Sequence, residues 1–307
     1  MIRRPGARPL LLALPAALLA VVFAHVRAQQ PEIAALVAKA GERVAAMADP
    51  GRVLICDERY EQIPEKLRSM VGYEGYGTAP TGAKSDVGSE GTDKRVWTAE
   101  LAIFATPANA AAGTPWMEFR DVLSVNGKPV RDGASRLATL SSDPIPVAAN
   151  QALAYSREAV PLVFARMLRV IELPRAAVIF LHPANQARFE FKKGGQKTID
   201  GVKATEVKFE EKVKPTLIRG GKDTDAPTKG SFWIDPATGH VLMSLYKNGD
   251  SSTLYDELTM TYREAAGLGL YLPAEMVERT TDDDAGQKVQ AKATFTKWRA
   301  VPRTRKN

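Results

Sequence analysis

The 307-residue sequence contains a single cysteine, Cys56, and three histidines. One cysteine cannot form an intramolecular disulfide, and it cannot supply the several thiolates of a cysteine-based zinc site. Motifs for phosphate and nucleophile chemistry are also missing: the sequence has no Walker loop and no G-x-S-x-G elbow, and Gly267-Leu268-Gly269 lacks the third glycine of a dinucleotide fingerprint. We therefore expect no enzymatic activity, no metal and no cofactor.

The sequence also lacks a large excess of charge of one sign. The formal net charge is +7, but four arginines lie within the first 28 residues, which contain no acidic residue. Of the 42 basic residues, 38 lie beyond that segment, against 35 acidic residues. This near balance gives no electrostatic argument for a polyanionic partner, so nucleic-acid binding is not expected.

Residues 1–28 have the three parts of a secretory signal peptide. An arginine-bearing start is followed by an apolar run from Leu10 to Phe23 and by the small-residue exit Val26-Arg27-Ala28. The run is shorter than the roughly 20 residues that a transmembrane helix needs, so we predict cleavage after Ala28 rather than a retained anchor. We expect a mature chain that begins at Gln29 and is periplasmic or secreted.

The mature chain is predicted to be mainly β (α+β) and to form one domain over residues 29–300. Apolar residues recur at helical spacing from Pro31 to Met47, which predicts an opening amphipathic helix. A Gly/Ser/Thr-rich stretch at 72–93 predicts a flexible loop, and 146–181 a helical insertion that prolines divide. Residues 301–307 form a basic tail, for which peripheral contact with the membrane and a frayed solubilising end are both open.

Most of the remaining chain alternates between apolar and polar residues with a period of two, as half-buried antiparallel strands do. Hairpin turns are predicted at Asn126-Gly127 and at Asp235 to Gly239, where glycine can adopt a positive φ. About nine or ten strands, most of them joined by hairpins, predict a single curled antiparallel sheet, an incomplete β-barrel wrapped on helices.

Methionine and aromatic residues are concentrated on the predicted buried faces of these strands. Such deformable side chains suit an adaptable apolar pocket, although packing against the two helical regions explains them equally well. The predicted ligand-binding residues are Met117, Phe119, Asp121, Phe209, Met243, Leu258, Met260 and Tyr262.

Two of the carboxylates, Asp121 and Asp256, interrupt otherwise apolar strand faces. A buried carboxylate needs a charged or hydrogen-bonding partner, or a wet cavity. Asp121 cannot pair with Arg120, because neighbouring side chains on a strand point to opposite faces. We expect a partner elsewhere in the fold, and a structural ion pair and a ligand contact both stay open.

The remaining residues with chemical potential are predicted to be structural. Cys56 lies in an apolar strand and is expected to be a buried small hydrophobe. His182 and His240 have no neighbour at metal-ligand spacing, and His240 is expected to face solvent after its hairpin turn.

Three stretches resemble those of known exported proteins. They are D-E-R-Y-E-Q at 57–62, W-M-E-F-R-D-V-L-S-V-N-G-K-P-V-R-D at 116–132 and G-S-F-W-I-D-P-A-T-G-H-V at 230–241. The first two resemble a branch of exported bacterial proteins in which an F-R-D-V strand leads to a D/N-G-K-P-V hairpin. The third resembles the G-x-x-x-I-D-P-x-T-G hairpin of the LolA/LolB-like lipoprotein carriers and of a related periplasmic sensor of envelope stress.

This resemblance implies an incomplete antiparallel barrel that helices close around an apolar cavity. Carriers of this type shield acyl chains without chemistry, and an arginine helps to hold their helical lid; no position of this chain is matched to that arginine. The implied function is an exported binding or carrier protein for an apolar small molecule, a lipid or a lipoprotein. The alternative is an envelope sensor or scaffold that binds a protein partner through the same surface.

Overall fold

The structure is a computed structural model that describes residues 16–66, 94–106, 115–132, 134–163, 178–218, 224–248, 254–282 and 287–303. The predicted loop at 72–93 and part of the predicted helical insertion lie outside the described residues. The helices are α1 (Ala16–Ala45), α2 (Arg136–Thr139), α3 (Ile145–Val163) and α4 (Pro183–Gln186), and short 3-10 turns lie at Ala46–Ala48, Leu140–Ser142 and Val178–Leu181. The strands are β1 (Arg52–Lys66), β2 (Arg95–Ala105), β3 (Trp116–Val125), β4 (Lys128–Pro129), β5 (Phe189–Ile199), β6 (Val202–Glu211), β7 (Thr228–Ile234), β8 (Val241–Asn248), β9 (Leu254–Ala265), β10 (Leu270–Asp282) and β11 (Gln287–Pro302).

Eleven strands of the described chain form one antiparallel sheet, in the order β4-β3-β2-β1-β11-β10-β9-β8-β7-β6-β5. The first long strand, β1, joins the two halves, because it pairs with β2 on one side and with the last strand, β11, on the other. The order ends at β4 and β5, so the sheet is open. The predicted fold class, a mainly β chain with a single curled sheet, is confirmed, and the strand beyond the predicted number is the two-residue β4.

Both predicted hairpin turns are confirmed by the backbone. Asn126 and Gly127 have positive φ angles of 49° and 76°. Gly239 has a φ of 79°, and the turn before it is fixed by the Asp235 carboxylate, which accepts the backbone N–H of Ala237 at 2.9 Å. Glycine and asparagine tolerate this left-handed conformation at little steric cost.

The first helix, α1, is longer than predicted and passes position 28 without a break. The prediction began it at Pro31, whereas the helix starts at Ala16 and includes Pro31 in its interior. The residues on both sides of this proline are mostly good helix formers, so the missing N–H does not end the helix. Signal-peptide cleavage stays a prediction. No helix formed by the described residues is both long and apolar enough to cross a membrane.

Each face of the sheet is covered over part of its area. We call the side that packs on α1 and on the 3-10 turn Val178–Leu181 the inner face, and the side that packs on α2 and α3 the outer face. The inner cluster includes Leu54, Cys56, Tyr60, Trp97, Leu101, Ile103, Val207, Phe209, Phe232, Ile234, Tyr246, Leu258, Met260, Tyr262, Leu272, Met276, Ala293 and Phe295. The outer cluster consists of Val53, Ile55, Ala102, Phe104, Phe119, Leu137, Leu140, Ala148 and Ala152.

A β-bulge in β3 reverses part of the predicted face pattern. The register with β2 shifts after Thr98, so that Leu123 becomes an extra residue. Val125 therefore packs against the inner cluster, whereas Met117 packs against the outer cluster, of which Phe119 is a member. The alternation of apolar and polar residues in the sequence predicts one common face for Met117, Phe119 and Val125, and this prediction is wrong.

A second bulge in β8 has the same effect on the predicted return strand. The register with β7 shifts after Trp233 and leaves Leu242 as the extra residue. Val241 lies in the inner cluster, while Met243 is placed on the outer face beside Trp233. The predicted common face of Val241 and Met243 is therefore also wrong.

The first residues of the predicted basic tail belong to the sheet. Strand β11 runs to Pro302, so residues 301 and 302 are paired with β1. Arg299 forms ion pairs with Asp57 and Glu100, and Arg303 bonds to the backbone through both its N–H and its guanidinium. Both arginines are thus engaged within the fold, and residues 304–307 lie outside the described part.

We predict that Gly239→Ala destabilises the protein more than Gly127→Ala does. Both glycines have similar positive φ angles, so the backbone strain of alanine is similar at the two positions. A Cβ on Gly239 would lie 2.7 Å from Cγ and 3.2 Å from the carbonyl carbon of Lys39 in α1, whereas a Cβ on Gly127 meets no atom within 4 Å. We expect urea unfolding to give a loss of about 1 kcal/mol for Gly127→Ala and of about 2 to 4 kcal/mol for Gly239→Ala. Equal losses would contradict the packing of α1 on this turn.

Candidate functional site

The candidate site is the inner face of the sheet together with α1, the helix that covers it. The buried side chains of α1 are apolar and recur every three or four residues, which places them on one side of the helix. They are Ile33, Leu36, Val37, Ala40 and Val44. All of them belong to the inner cluster, so α1 closes the open sheet by burying an apolar stripe against it.

Two basic side chains tie α1 to the turn between β7 and β8. The Lys39 ammonium donates to the carbonyl of Ala237, and Arg43 Nε donates to the carbonyl of Thr238 at 3.1 Å. Both bonds are exposed to solvent, so each stabilises the closed arrangement by only about 0.5 to 1.5 kcal/mol. The turn is the one formed by the I-D-P-A-T-G segment, so the resembling motif is the point at which the helix is held.

Further contacts hold α1 on the side of β5. Glu32 forms an exposed ion pair with Lys193 at 3.0 Å. The Gln186 amide donates to the carbonyls of Val37 at 3.1 Å and Leu181 at 2.7 Å. These contacts connect α1 to α4 and to the 3-10 turn Val178–Leu181. They are polar, as are the bonds of Lys39 and Arg43 to the β7–β8 turn.

A cavity of about 40 Å³ lies between the sheet and the C-terminal end of α1, with room for about two or three water molecules. It is lined by Arg43, Val44, Ala46, Met47, His240, Val241, Tyr262, Gly269, Leu270 and Tyr271.

The inner face is not apolar throughout. Tyr60 stacks on Trp97 with ring centroids 4.1 Å apart, and its hydroxyl donates to Glu278 at 2.7 Å. Arg120 forms a two-bond ion pair with the buried Glu58 and lies 5.9 Å from the centre of the Tyr60 ring. Each of these buried charges has a partner, as burial requires. This network was not predicted from the sequence, although Glu58 and Arg120 lie in two of the three segments that resemble known exported proteins.

Burial and these partners shift two ionisation equilibria. Burial, followed by the Glu278 carboxylate, raises the pKa of Tyr60 well above its ordinary value, so the phenol stays protonated. Burial opposes the charge on Arg120, but the Glu58 carboxylate outweighs it and raises the pKa. Tyr60 and Arg120 therefore both keep their protons at neutral pH.

The structure brings together four of the eight predicted ligand-binding residues. Phe209, Leu258, Met260 and Tyr262 are buried members of the inner cluster. Tyr262 also lines the small cavity beside α1, and its hydroxyl lies 2.9 Å from that of Ser244.

The other four predicted residues lie on the outer face, because of the bulges and the strand parity described above. Phe119 and Met117 contribute to the outer cluster beneath α2 and α3. Met243 Sδ accepts a hydrogen bond from Lys197 at 3.6 Å on the outer surface. These residues and Asp121 cannot contact a ligand that binds beneath α1.

Asp121 is held in an ion-pair network instead. Its carboxylate is fully buried and receives two hydrogen bonds from each of Arg131 and Arg136. Arg136 also lies 4.1 Å over the ring of Tyr155 and bonds to Glu158, both in α3. The expected partner outside Arg120 is confirmed, and the network fixes α2 and α3 to the outer face.

Cys56 and the two histidines occupy defined environments. Cys56 is fully buried, as predicted, and burial raises the pKa of its thiol. His182 Nδ1 accepts the backbone N–H of Ala184 and so caps α4. His240, which was expected to face solvent, is half-buried: its ring stacks on Tyr271, with centroids 4.1 Å apart, and lines the cavity beside α1. Among the described residues, no group of three or more His, Cys, Asp or Glu side chains could hold a metal ion.

No family model and no curated protein matches the chain. Solved structures to which the chain is similar include an outer membrane lipoprotein-sorting protein domain from Vibrio parahaemolyticus, which is 13% identical over 88% of this chain and 94% of that chain, with a TM-score of 0.34. A DUF1329 family protein from Desulfovibrio piger is 10% identical over 87% and 92%, with a TM-score of 0.36. A LolA superfamily protein from Nitrosomonas europaea is 10% identical over 85% and 91%, with a TM-score of 0.29.

These similarities say nothing about what this chain binds. The structure itself shows an open antiparallel sheet with α1 packed on one face, as the fold predicted from the sequence requires.

We predict that Asp121→Asn strongly destabilises the protein. Neutralising this carboxylate leaves Arg131 and Arg136 without a balancing buried charge, and breaking a buried ion pair in this way costs about 3 to 5 kcal/mol. Urea unfolding measures the loss. The matched control is Asp132→Asn, because Asp132 contacts the same Arg131 but its side chain is 84% exposed. Losses below about 1 kcal/mol for both variants would contradict the structural role of Asp121.

Proposed function

We propose that this protein is an exported, non-catalytic binding protein that holds an apolar ligand, the acyl chain of a lipid or lipoprotein, between α1 and the inner face of the sheet. The observation that carries the proposal is the anchoring of α1 on the turn of the 230–241 segment through Lys39 and Arg43. A broad apolar face is thereby covered by one helix, which solvent-exposed bonds tie in place. The signal-peptide pattern of residues 1–28 supports an envelope location.

The ligand lies between α1 and the sheet rather than replacing the helix. Complete removal of α1 would expose four large apolar side chains, each worth about 1.5 to 3 kcal/mol of burial, together with the part of the inner face that they cover. Those side chains are Ile33, Leu36, Val37 and Val44. An inserted chain keeps the stripe in apolar contact, so the movement breaks mainly the polar ties and the local packing.

The helix that moves to admit the ligand is α1 and not α3, because different contacts hold the two helices on the sheet. α3 is held by the Asp121 network and by Ser156, whose hydroxyl bonds to both the N–H and the carbonyl of Arg120. The ties of α1 at Lys39 and Arg43 are exposed, and water can replace each of them.

The expected affinity follows from the buried hydrocarbon. Ten methylenes contribute about 8 kcal/mol of gross stabilisation, at about 0.8 kcal/mol each. Association and chain ordering remove several kcal/mol of this. A dissociation constant in the micromolar range is therefore expected for a single medium-length chain.

We predict that the delipidated protein binds 11-(dansylamino)undecanoic acid saturably and that loosening α1 strengthens the binding. In the double variant Lys39→Met/Arg43→Met the two bonds to the β7–β8 turn no longer oppose opening, so the apparent affinity should rise by about threefold to tenfold. Met260→Asp, which places a charge in the inner cluster, should abolish binding. Dansyl fluorescence titration measures all three proteins.

Matched controls separate these effects from general damage. Thr259→Asp changes the neighbouring residue, which points to the opposite face of β9, and should leave binding intact. Lys208→Met removes an exposed lysine far from α1 in sequence and should not change the affinity. Circular dichroism checks the folding of each variant. If folded wild-type protein shows no saturable binding up to about 100 micromolar, the carrier proposal is wrong and a protein-binding scaffold becomes the preferred function.

A further inference from the structure

His240 occupies the contact at which α1 is tied to the sheet. It directly follows the β7–β8 turn, and its backbone N–H points to the Thr238 hydroxyl at 3.3 Å. Its ring stacks on Tyr271 and shares the 40 Å³ cavity with Arg43 and Val44 of α1. The imidazole is therefore half-buried on the ring of Tyr271, beside the cavity at the end of α1.

Two basic and two acidic groups surround this ring. Arg43 and Lys39 approach it from α1, while Asp235 of the turn and Glu264 of β9 are the acidic groups that face it. Asp235 is already engaged, because its carboxylate accepts the Ala237 N–H and the Thr238 hydroxyl. A proton on His240 would thus add a third cation at a helix end where Arg43 and Lys39 already supply two.

We propose that protonation of His240 releases α1 from the β7–β8 turn, so that the inner face opens more readily at acidic pH. The inference rests on the proposed function in one respect, since it treats α1 as the cover of the ligand site. The opening itself is a property of the protein without ligand and can be measured separately.

The direction of the effect follows from proton linkage. Burial, followed by the charge of Arg43, lowers the pKa of His240 in the closed arrangement. Above the ordinary histidine pKa of about 6.5 the ring is neutral in both arrangements and the closed form keeps its full stability. As the pH falls from there toward the lower pKa of the closed form, the open form binds more protons and gains population.

The effect of His240 has to be distinguished from that of a second histidine, His182. His182 also has a pKa lowered by burial, and it caps α4 beside the edge of the Trp116 ring. It does not belong to the contact between α1 and the turn. His182→Gln therefore serves as the matched control for His240→Gln.

The test uses a thiol on α1 as a reporter of opening. Val44→Cys in a Cys56→Ser background places the single thiol of the full chain in the buried stripe of α1, because Val44 is only 1% exposed. Labelling with 4,4′-dithiodipyridine is measured at pH 7.5 and 5.5, and each rate is divided by that of the unfolded chain at the same pH, which removes the ionisation of the thiol itself. Ala152→Cys in the same background reports on α3, since Ala152 is fully buried in the outer cluster.

We expect the normalised labelling of the α1 reporter to rise by about fivefold to tenfold between pH 7.5 and 5.5, since each pKa unit between the two arrangements permits up to about a tenfold change. The α3 reporter should not change, and His240→Gln should remove the increase while His182→Gln keeps it. His240→Asn replaces His240→Gln if the latter fails to fold. An equal increase without His240, or no increase with it, would overturn the proposal. Saturable acyl binding with no pH effect would overturn this inference alone, whereas pH-dependent opening without any binding would contradict only the proposed function.

Discussion

An open antiparallel sheet with an apolar concave face is not stable in water until that face is covered. The strand order ends at β4 and β5 without closure, and the inner cluster spans the strand order from β3 through to β5. The cover is supplied by α1 and the 3-10 turn Val178–Leu181. The amphipathic stripe of α1, the small cavity at its end and the basic ties to the β7–β8 turn all follow from this requirement.

Both faces of the sheet are covered, but different interactions hold the covering helices in place. On the outer face, the buried Asp121 carboxylate and the Ser156 hydroxyl hold α2 and α3 through charge-assisted and doubled hydrogen bonds. On the inner face, the polar contacts of α1 at Lys39 and Arg43 are exposed, Gln186 adds a partly buried bond to the Val37 carbonyl, and apolar packing supplies most of the rest. Apolar packing is non-directional and tolerates an inserted hydrocarbon chain, whereas a buried ion-pair network does not. This contrast is the physical basis for assigning binding to the inner face.

Local features of the fold could be predicted from the sequence, and the distribution of residues between the two faces could not. The turns at Asn126-Gly127 and Gly239 follow from φ preferences, and the spacing of apolar residues after Pro31 predicts a buried helix face. The bulges at Leu123 and Leu242 leave no comparable signal, because an extra residue in a strand looks like ordinary alternation until the pairing is known. For that reason the sequence pattern predicts that Met243 lies on the inner face, whereas it lies on the outer face.

The parts of the site that depend on contacts between residues distant in the sequence could not be predicted from the sequence either. Arg43 reaches a carbonyl 195 residues away, and Arg120 pairs with Glu58 across 62 residues through the register of three strands. The sequence shows Lys39 and Arg43 as two basic residues one helical turn apart, which by itself indicates only a solvated helix face. His240 appeared exposed because the partner that buries it, α1, lies far away in the sequence.

Native-state hydrogen exchange of the α1 amides tests most directly whether this helix is a movable cover. The account predicts that amides in 33–45 exchange through a local opening of lower free energy than those of α3 and of the β1–β11 pair, and that a bound acyl probe slows them selectively. If the α1 amides exchange only with global unfolding, and the probe leaves their rates unchanged, then α1 is a permanent part of the core and the central claim is wrong.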